Sequence, residues 1–304
     1  MIDPARSRIS VLIGRVSTED TDRILETLTS LANRQGEKAC EVIIADRLQD
    51  AVSTEIARIY PQVRILSCSP GTSLPEMRTL ALDASSGDIV AVTEDHCVPC
   101  EGWLGEIEAG LADPMVVAVG GSVENGVTET GFDWATFLCE YSYFSPPVVE
   151  GAATVLPGMN VAYRRSALLR APRERLLAGF WETTVHGLLL EMGGQFVSRN
   201  TMKMYHCKKF SFRLFSRQRY VYSRYYAGNR FKVNQVPHRL AASAASLLLP
   251  PLLLWRMSSA ASRKKLGGEF SRAFPSLAAL VLIWASGEIV GYLAGPGDAL
   301  AEIE

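Results

Sequence analysis

Through its first half the chain alternates short apolar runs with stretches of helical periodicity. Residues 9–13, 41–45, 63–66 and 89–92 are apolar runs of strand length, and residues 20–33, 52–60 and 75–84 between them read as amphipathic helices. Ser73 suits the N-cap of the third helix, with Glu76 at the capping-box position. Such alternation predicts an α/β fold, an open sheet of parallel strands with helices on both faces. Residues 115–119 offer a fifth strand ending in Gly120 and Gly121. The second half is less regular: an aromatic-rich helix at 132–143, a helix at 182–192 closed by Gly193 and Gly194, and a strand at 202–205 ending at His206.

Beyond residue 207 the pattern changes. Residues 210–234 are aromatic and basic together, with Arg217, Arg219, Arg224 and Arg230 among Tyr220, Tyr222, Tyr225 and Tyr226. This suits a helix at a lipid headgroup surface, or a solvated helix packing its tyrosines on the preceding domain. Two apolar stretches follow. Residues 240–255 are short for a span and broken by Pro250 and Pro251, whereas 274–294 reach the length of about 20 residues that a spanning helix needs. The loop between them carries Arg256, Arg263, Lys264, Lys265 and Arg272 against Glu269 alone. If both stretches crossed, that basic loop would lie opposite the N-terminal domain, against the positive-inside tendency. The expectation is a re-entrant or interfacial first stretch and a spanning second one, with Glu288 facing protein or the polar boundary; two plain buried helices of a soluble domain are the alternative. The chain thus divides into residues 1–207, 208–236 and 237–304.

A net charge of −1 over 304 residues argues against a general nucleic-acid binder. Of the cysteines at 40, 68, 97, 100, 139 and 207, only Cys97 and Cys100 form a C-x-x-C pair. A zinc site would need a second pair, which leaves a redox dithiol or two ordinary thiols in a reducing cytosol. The first ten residues hold no apolar run of the signal-peptide type, so the bulk of the protein is expected in the cytosol. A dinucleotide-binding reading fails on the loop after the first strand, residues 13–18, which holds one glycine, Gly14.

The chemistry concentrates after the fourth strand, which runs into Glu94, Asp95 and His96. Ligands of open α/β sheets bind at the carboxyl ends of the strands. In extended chain Glu94 and His96 face one side together, able to hold one cation, while Asp95 points away or turns into the loop. Around them stand Arg78 on a helix, the Gly87-Asp88 turn, Pro99 and Trp103. In that order, this segment resembles the metal-binding segment of family 2 glycosyltransferases, nucleotide-sugar-using enzymes of the GT-A fold. Glu94 and His96 stand where the family usually has the outer aspartates of Asp-x-Asp. The likeness extends over residues 8–206.

The resemblance implies a GT-A-type open, mainly parallel sheet flanked by helices, followed by the interfacial helix and C-terminal membrane helices. It implies a membrane-attached transferase at the cell membrane, catalytic domain on the cytoplasmic side. The sugar would pass from a nucleotide-diphosphate donor to a lipid-linked or membrane-proximal acceptor, with inversion. The metal set becomes Glu94, His96 and His206, a mixed O/N shell that favours Mn2+ over Mg2+. On the donor side stand Asp46, as a base contact or a turn cap, Asp95, and Arg78 near the diphosphate or as a surface charge. Asn160, Arg164 and Trp181 would line the acceptor side, or serve core and turn roles. Where the family carries Glu-Asp, this chain has Glu182 and Thr183, so Glu182 or His186 would serve as base. An anionic phosphate acceptor would need little base help. A degenerate nucleotide-sugar-binding membrane protein and a sugar nucleotidyltransferase are the alternatives.

Overall fold

A computed structural model describes residues 8–36 and 38–303; residues 1–10, on which the signal-peptide expectation rests, fall mostly outside the described residues. Among the described residues nine strands form one sheet: β1 (Ile9–Arg15), β2 (Glu41–Asp46), β3 (Arg64–Ser67), β4 (Ile89–Glu94), β5 (Cys97–Pro99), β6 (Val116–Asn125), β7 (Gly151–Ala153), β8 (Val161–Arg164) and β9 (Gln195–His206). Their order is β3-β2-β1-β4-β8-β6-β9-β5, with β7 also on β9. From β3 to β4 every pairing is parallel. Three of the four apolar runs, those of β1, β2 and β4, reflect strands buried along nearly their whole length, whereas β3 is exposed at both ends. Beyond β4 the sheet is mixed: β8 is antiparallel to β4 and β6, while β9 is parallel to β6 and antiparallel to β5 and β7.

The helices Ile24–Asn33, Ala51–Ile59 and Leu74–Ala84 fall where the periodicity placed them. Ser73 caps the third, its Oγ accepting from the Glu76 amide at 3.4 Å. The glycine pair after the fifth apolar run does not end its strand. A Cβ on Gly121 would sit 1.8 Å from the Met202 carbonyl oxygen, and one on Gly120 would lie 3.0 Å from that of Asn160. Both glycines mark close backbone approach inside β6, which runs on to Asn125 through an irregular register. Strand β9 likewise starts seven residues before the expected strand, because its first half is polar (Ser198, Arg199, Asn200, Thr201).

The described residues fold into two compact units, one within residues 8–126 with 144–208 and the other within residues 127–143 with 209–303. The helix Gly131–Tyr141 groups with the C-terminal region. In that second unit, helix Phe212–Arg230 lies along helix Gly267–Ala294. Close contact is possible because Gly287 and Gly291 face the backbone of Tyr220 and Arg224. Arg219 stacks on Trp284 at 4.1 Å, and Arg224 and Arg239 donate to the carbonyls of Gly295, Tyr292 and Leu293 at the C-terminal end of helix Gly267–Ala294. The arginines expected at a headgroup surface are thus partly taken up by protein. Pro250 and Pro251 open helix Leu249–Arg263, where missing amide donors cost little. The helical run from Val236 therefore passes through one 3₁₀ turn, Ser246–Leu248, instead of breaking. Glu288 is buried and paired, accepting from Trp284 Nε1 at 2.8 Å and Ser246 Oγ at 3.4 Å.

Candidate active site

Glu94 ends β4, and a tight turn through Asp95 and His96 leads into β5. His96 Nε2 lies 3.3 Å from Glu94 Oε2, and its Nδ1 is 2.7 Å from Asp95 Oδ1. Asp95 does turn, but back onto the imidazole. Both His96 nitrogens thus face carboxylates; an Nδ1 proton held by Asp95 would leave Nε2 free to bind a cation placed between it and Glu94, the outer-sphere arrangement that metal-ligating histidines use. His206 joins from β9. The pairing of β5 with β9 sets Cys97 opposite His206, which carries the second imidazole to the turn. The two Nε2 atoms are 3.1 Å apart and the rings are nearly perpendicular, at 87°.

Two imidazole nitrogens this close need a proton or a cation between them. Metal–ligand bonds of about 2.0–2.2 Å give ligand–ligand edges of about 3.0–3.5 Å. The separations of 3.1 and 3.3 Å fall in that range. The residues present therefore fit a divalent cation. Cys97 Sγ stands within 4.8 Å of the Glu94 and His96 ligand atoms, but burial and the nearby Glu94 push its thiol well above the usual range, which keeps it protonated.

The charges are arranged in the same sense. Burial pushes the Glu94 carboxyl up, but the bond to His96 and the charges of His96 and Arg78 outweigh it, holding the group at about 2. His96 is pushed down by burial and raised overall by Asp95 and Glu94. Burial and the His96 charge press His206 down to about 3, so it is a neutral donor at physiological pH. Arg78 is buried, not a surface charge: Nη2 lies 3.6 Å from Glu94 Oε1 and Nη1 donates to the Phe180 carbonyl at 3.1 Å. That carbonyl precedes Glu182, which opens helix Glu182–Glu191 and is half-buried. Burial raises the Glu182 carboxyl; Glu94 adds to this and Arg78 opposes it. Its Oε2 packs on Gly158, where a Cβ would approach to 2.2 Å.

The profile of glycosyl transferase family 2 matches residues 18–170, just over half of the chain. The protein belongs to glycosyltransferase family 2. Among solved structures, it is similar to the mannosyltransferase PcManGT from Pyrobaculum calidifontis in complex with GDP-Man and Mn2+. The TM-score is 0.56 at 18% identity, over 95% of this chain and 89% of that one. It is similar to S. aureus TarS 1–349 with a TM-score of 0.50 and 13% identity, over 93% and 90%. GalNAc-T7 with UDP, GalNAc and Mn2+ gives 0.52 and 12%, over 67% of this chain and 43% of that one. At these identities the likeness is one of fold, and the fold is GT-A-like. No curated protein matches the sequence.

Several residues that the family resemblance singled out have other work in this glycosyltransferase. Asp46 is buried, and its carboxylate accepts from Arg15 at 3.2 Å, from Ser53 Oγ, and from the amides of Leu48 at 2.9 Å and Gln49 at 3.3 Å. Four donors fill its acceptor capacity, so it is a turn cap in this structure and has no place for a base N–H. Asn160 is fully buried, accepting from Trp103 Nε1 at 2.8 Å and donating to the carbonyls of Ser122 and Met202 at 2.9 and 2.7 Å. It braces the sheet and faces no acceptor. Arg164 pairs in register with Ile89, at the end of β4 opposite Glu94, and clamps the carbonyls of Val116, Leu111 and Asp113. Trp181 is buried, and no sugar face can reach it in this conformation.

His186 turns away from Glu182 into the core. Its Nε2 lies 2.9 Å from the Tyr163 hydroxyl, its ring packs edge-on against Phe196, and burial presses it down to about 4. Lys208 was not anticipated. It is buried two residues beyond His206, its ammonium is bonded to Ser17 Oγ, and its charge helps lower the His206 pKa. It lies just past the end of β9, where no strand pattern marks it.

Proposed function

We propose that this glycosyltransferase moves a sugar from a nucleoside-diphosphate donor to a lipid-linked or membrane-proximal acceptor, using a divalent cation held by Glu94, His96 and His206. The observation that carries the reading is that His96 Nε2 lies 3.3 Å from Glu94 Oε2 and 3.1 Å from His206 Nε2. A bound cation would supply positive charge where the diphosphate leaves. Mn2+ is favoured over Mg2+ by two imidazoles in the set, and PcManGT and GalNAc-T7 each carry Mn2+.

The chain's own groups then divide the remaining tasks. Asp95 holds His96 in the ligating tautomer, and Arg78 holds Glu94 in place. Lys208 adds a second positive charge beside the cluster, on the side where Ser17 follows β1. Glu182, with its pKa raised toward the working range of a general base, takes the proton of an acceptor hydroxyl as the acceptor oxygen attacks the anomeric carbon. The bond from that carbon to the diphosphate oxygen breaks, and a single displacement inverts the configuration. An acceptor that is already an anionic phosphate leaves Glu182 with only a positioning task. The C-terminal unit holds the enzyme at the cytoplasmic face of the cell membrane.

A panel of nucleotide sugars with Mn2+, read by release of nucleoside diphosphate, tests the reading. Release with one donor, abolished by chelator and reduced at least about 100-fold in His96→Ala, is expected. Release that survives both chelator and His96→Ala would overturn the metal-dependent mechanism.

A further inference from the structure

We infer that the C-terminal unit lies in the plane of an anionic bilayer surface and does not span it. The inference rests on the membrane attachment proposed above and replaces the spanning second stretch that the sequence suggested.

The helical run 236–263 is turned inside out relative to a water-soluble helix. Leu240, Leu247, Leu248, Leu252 and Trp255 are 45–70% exposed, while Ser243 and Ser246 are buried against protein. Only 17% of its most apolar eighteen residues are buried, against 44% in helix Gly267–Ala294. A helix in water buries its leucines and exposes its serines. The reverse pattern fits a helix whose outer face meets lipid.

Depth decides between lying and spanning. Helix Gly267–Ala294, the only stretch expected to span, is accompanied by helix Phe212–Arg230. Arg219 and Tyr222 stack at Trp284, Ser223 faces Gly287, Ala227 faces Gly291, and Arg230 meets Tyr292. Any depth reached by residues 284–292 is therefore shared by Arg219, Arg224 and Arg230. Each arginine at mid-bilayer costs about 2.5–3.5 kcal/mol even on the mildest scale. The remaining 267–283 segment spans about 25 Å at about 1.5 Å per residue, short of the roughly 30 Å hydrocarbon core. It also opens with Glu269 and with Arg272, which bonds the Glu129 carbonyl. No continuous apolar column of bilayer thickness is left along this helix, and in the run 236–263 the uncharged stretch between Arg239 and Arg256 covers about 24 Å, again short of that core.

One apolar side remains, and cations stand beside it. Arg256, Arg263 and Lys265 are exposed at and just before the turn that joins the two long helices. A leucine face about 5–10 Å deep with Lys and Arg beside it and a tryptophan at its margin is the composition of an in-plane helix on an anionic surface.

The test uses the full-length protein added to preformed sealed vesicles of phosphatidylcholine with or without phosphatidylglycerol. Flotation with the anionic vesicles is expected, at least tenfold weaker in the double variant Leu248→Glu, Trp255→Glu, whose nucleotide-sugar turnover in detergent stays at the parent level. Gly268, at the start of helix Gly267–Ala294 with open space around its Cα, takes a cysteine without a clash. Compared with the parent chain, bound Gly268→Cys should gain one membrane-impermeant polyethylene glycol–maleimide equally with and without detergent. Flotation with the introduced thiol protected until detergent is added would overturn the in-plane reading alone and leave membrane attachment standing. Absence of flotation, with a dimer that the double variant dissolves, would overturn both and assign the face to a second copy.

Discussion

Replacing Asn160 by aspartate changes one atom type and almost no volume, yet it should be among the most damaging single substitutions in the first unit. The amide nitrogen that now donates to the Ser122 and Met202 carbonyls at 2.9 and 2.7 Å becomes an oxygen facing two oxygens. Each buried carbonyl left without its donor costs about 1–3 kcal/mol, which gives about 4 kcal/mol for the pair. The bond from Trp103 survives, because Oδ1 is unchanged. The position is fully buried, so the added charge must either be neutralised by a raised pKa or be solvated by opening the sheet between β6 and β9. At roughly 2–4 °C per kcal/mol for a unit of this size, the melting temperature should fall by about 8–16 °C. Thermal unfolding followed by circular dichroism gives that number, and turnover well below the transition gives the other half of the test. A variant that melts within about 2 °C of the parent but has lost transfer would refute the bracing role and return Asn160 to the acceptor side.

His186 gives a pH prediction with a definite sign. Its folded pKa of about 4 lies below the ordinary 6.5, so the unfolded chain binds its proton first. The contribution is fully present above pH 6.5 and is lost as the pH falls toward 4, by up to about 3 kcal/mol. Urea melts of the parent and His186→Gln across that window should show the parent losing more stability. Equal slopes would mean that the imidazole is not held neutral. Gly158→Ala should push the Glu182 carboxylate aside and reduce kcat about 10- to 100-fold, with Mn2+ binding unchanged. A loss of Mn2+ affinity of the same size would place Gly158 in the metal site instead.

What the sequence revealed, and what it hid, follows from the range of each signal. The strands β1, β2 and β4 were plain because a strand buried on both faces is apolar throughout. The pair Glu94 and His96 was plain because the two residues are close in sequence, although a tight turn and not extended strand brings them together. Partners fixed by strand direction were not. Arg164 lies at the wrong end of the sheet because β8 runs antiparallel to β4, and nothing in the local text states that direction. Asp46 and Asn160 occupy the right places in the motif order but spend their polar atoms on the fold, and burial of a polar side chain is decided by its neighbours. Gly120 and Gly121 looked like punctuation because a glycine that permits close approach and one that permits a turn read alike. The inverted face of residues 236–263 was hidden for the same reason: composition gives the leucines and serines, and only packing says which of them face outward.

The register between β5 and β9 makes the two halves of the proposed ligand set arrive on separate stretches of chain, 110 residues apart. A cation held there stitches one strand edge to another. The Cys207 amide, which donates to the His96 carbonyl at 3.0 Å, lies directly across that stitch and takes no part in the chemistry. Its hydrogen exchange is thus a built-in occupancy gauge, readable without donor, acceptor or turnover. Lengthening the turn after Asp95 by one residue would cut the thread while leaving each ligand chemically intact.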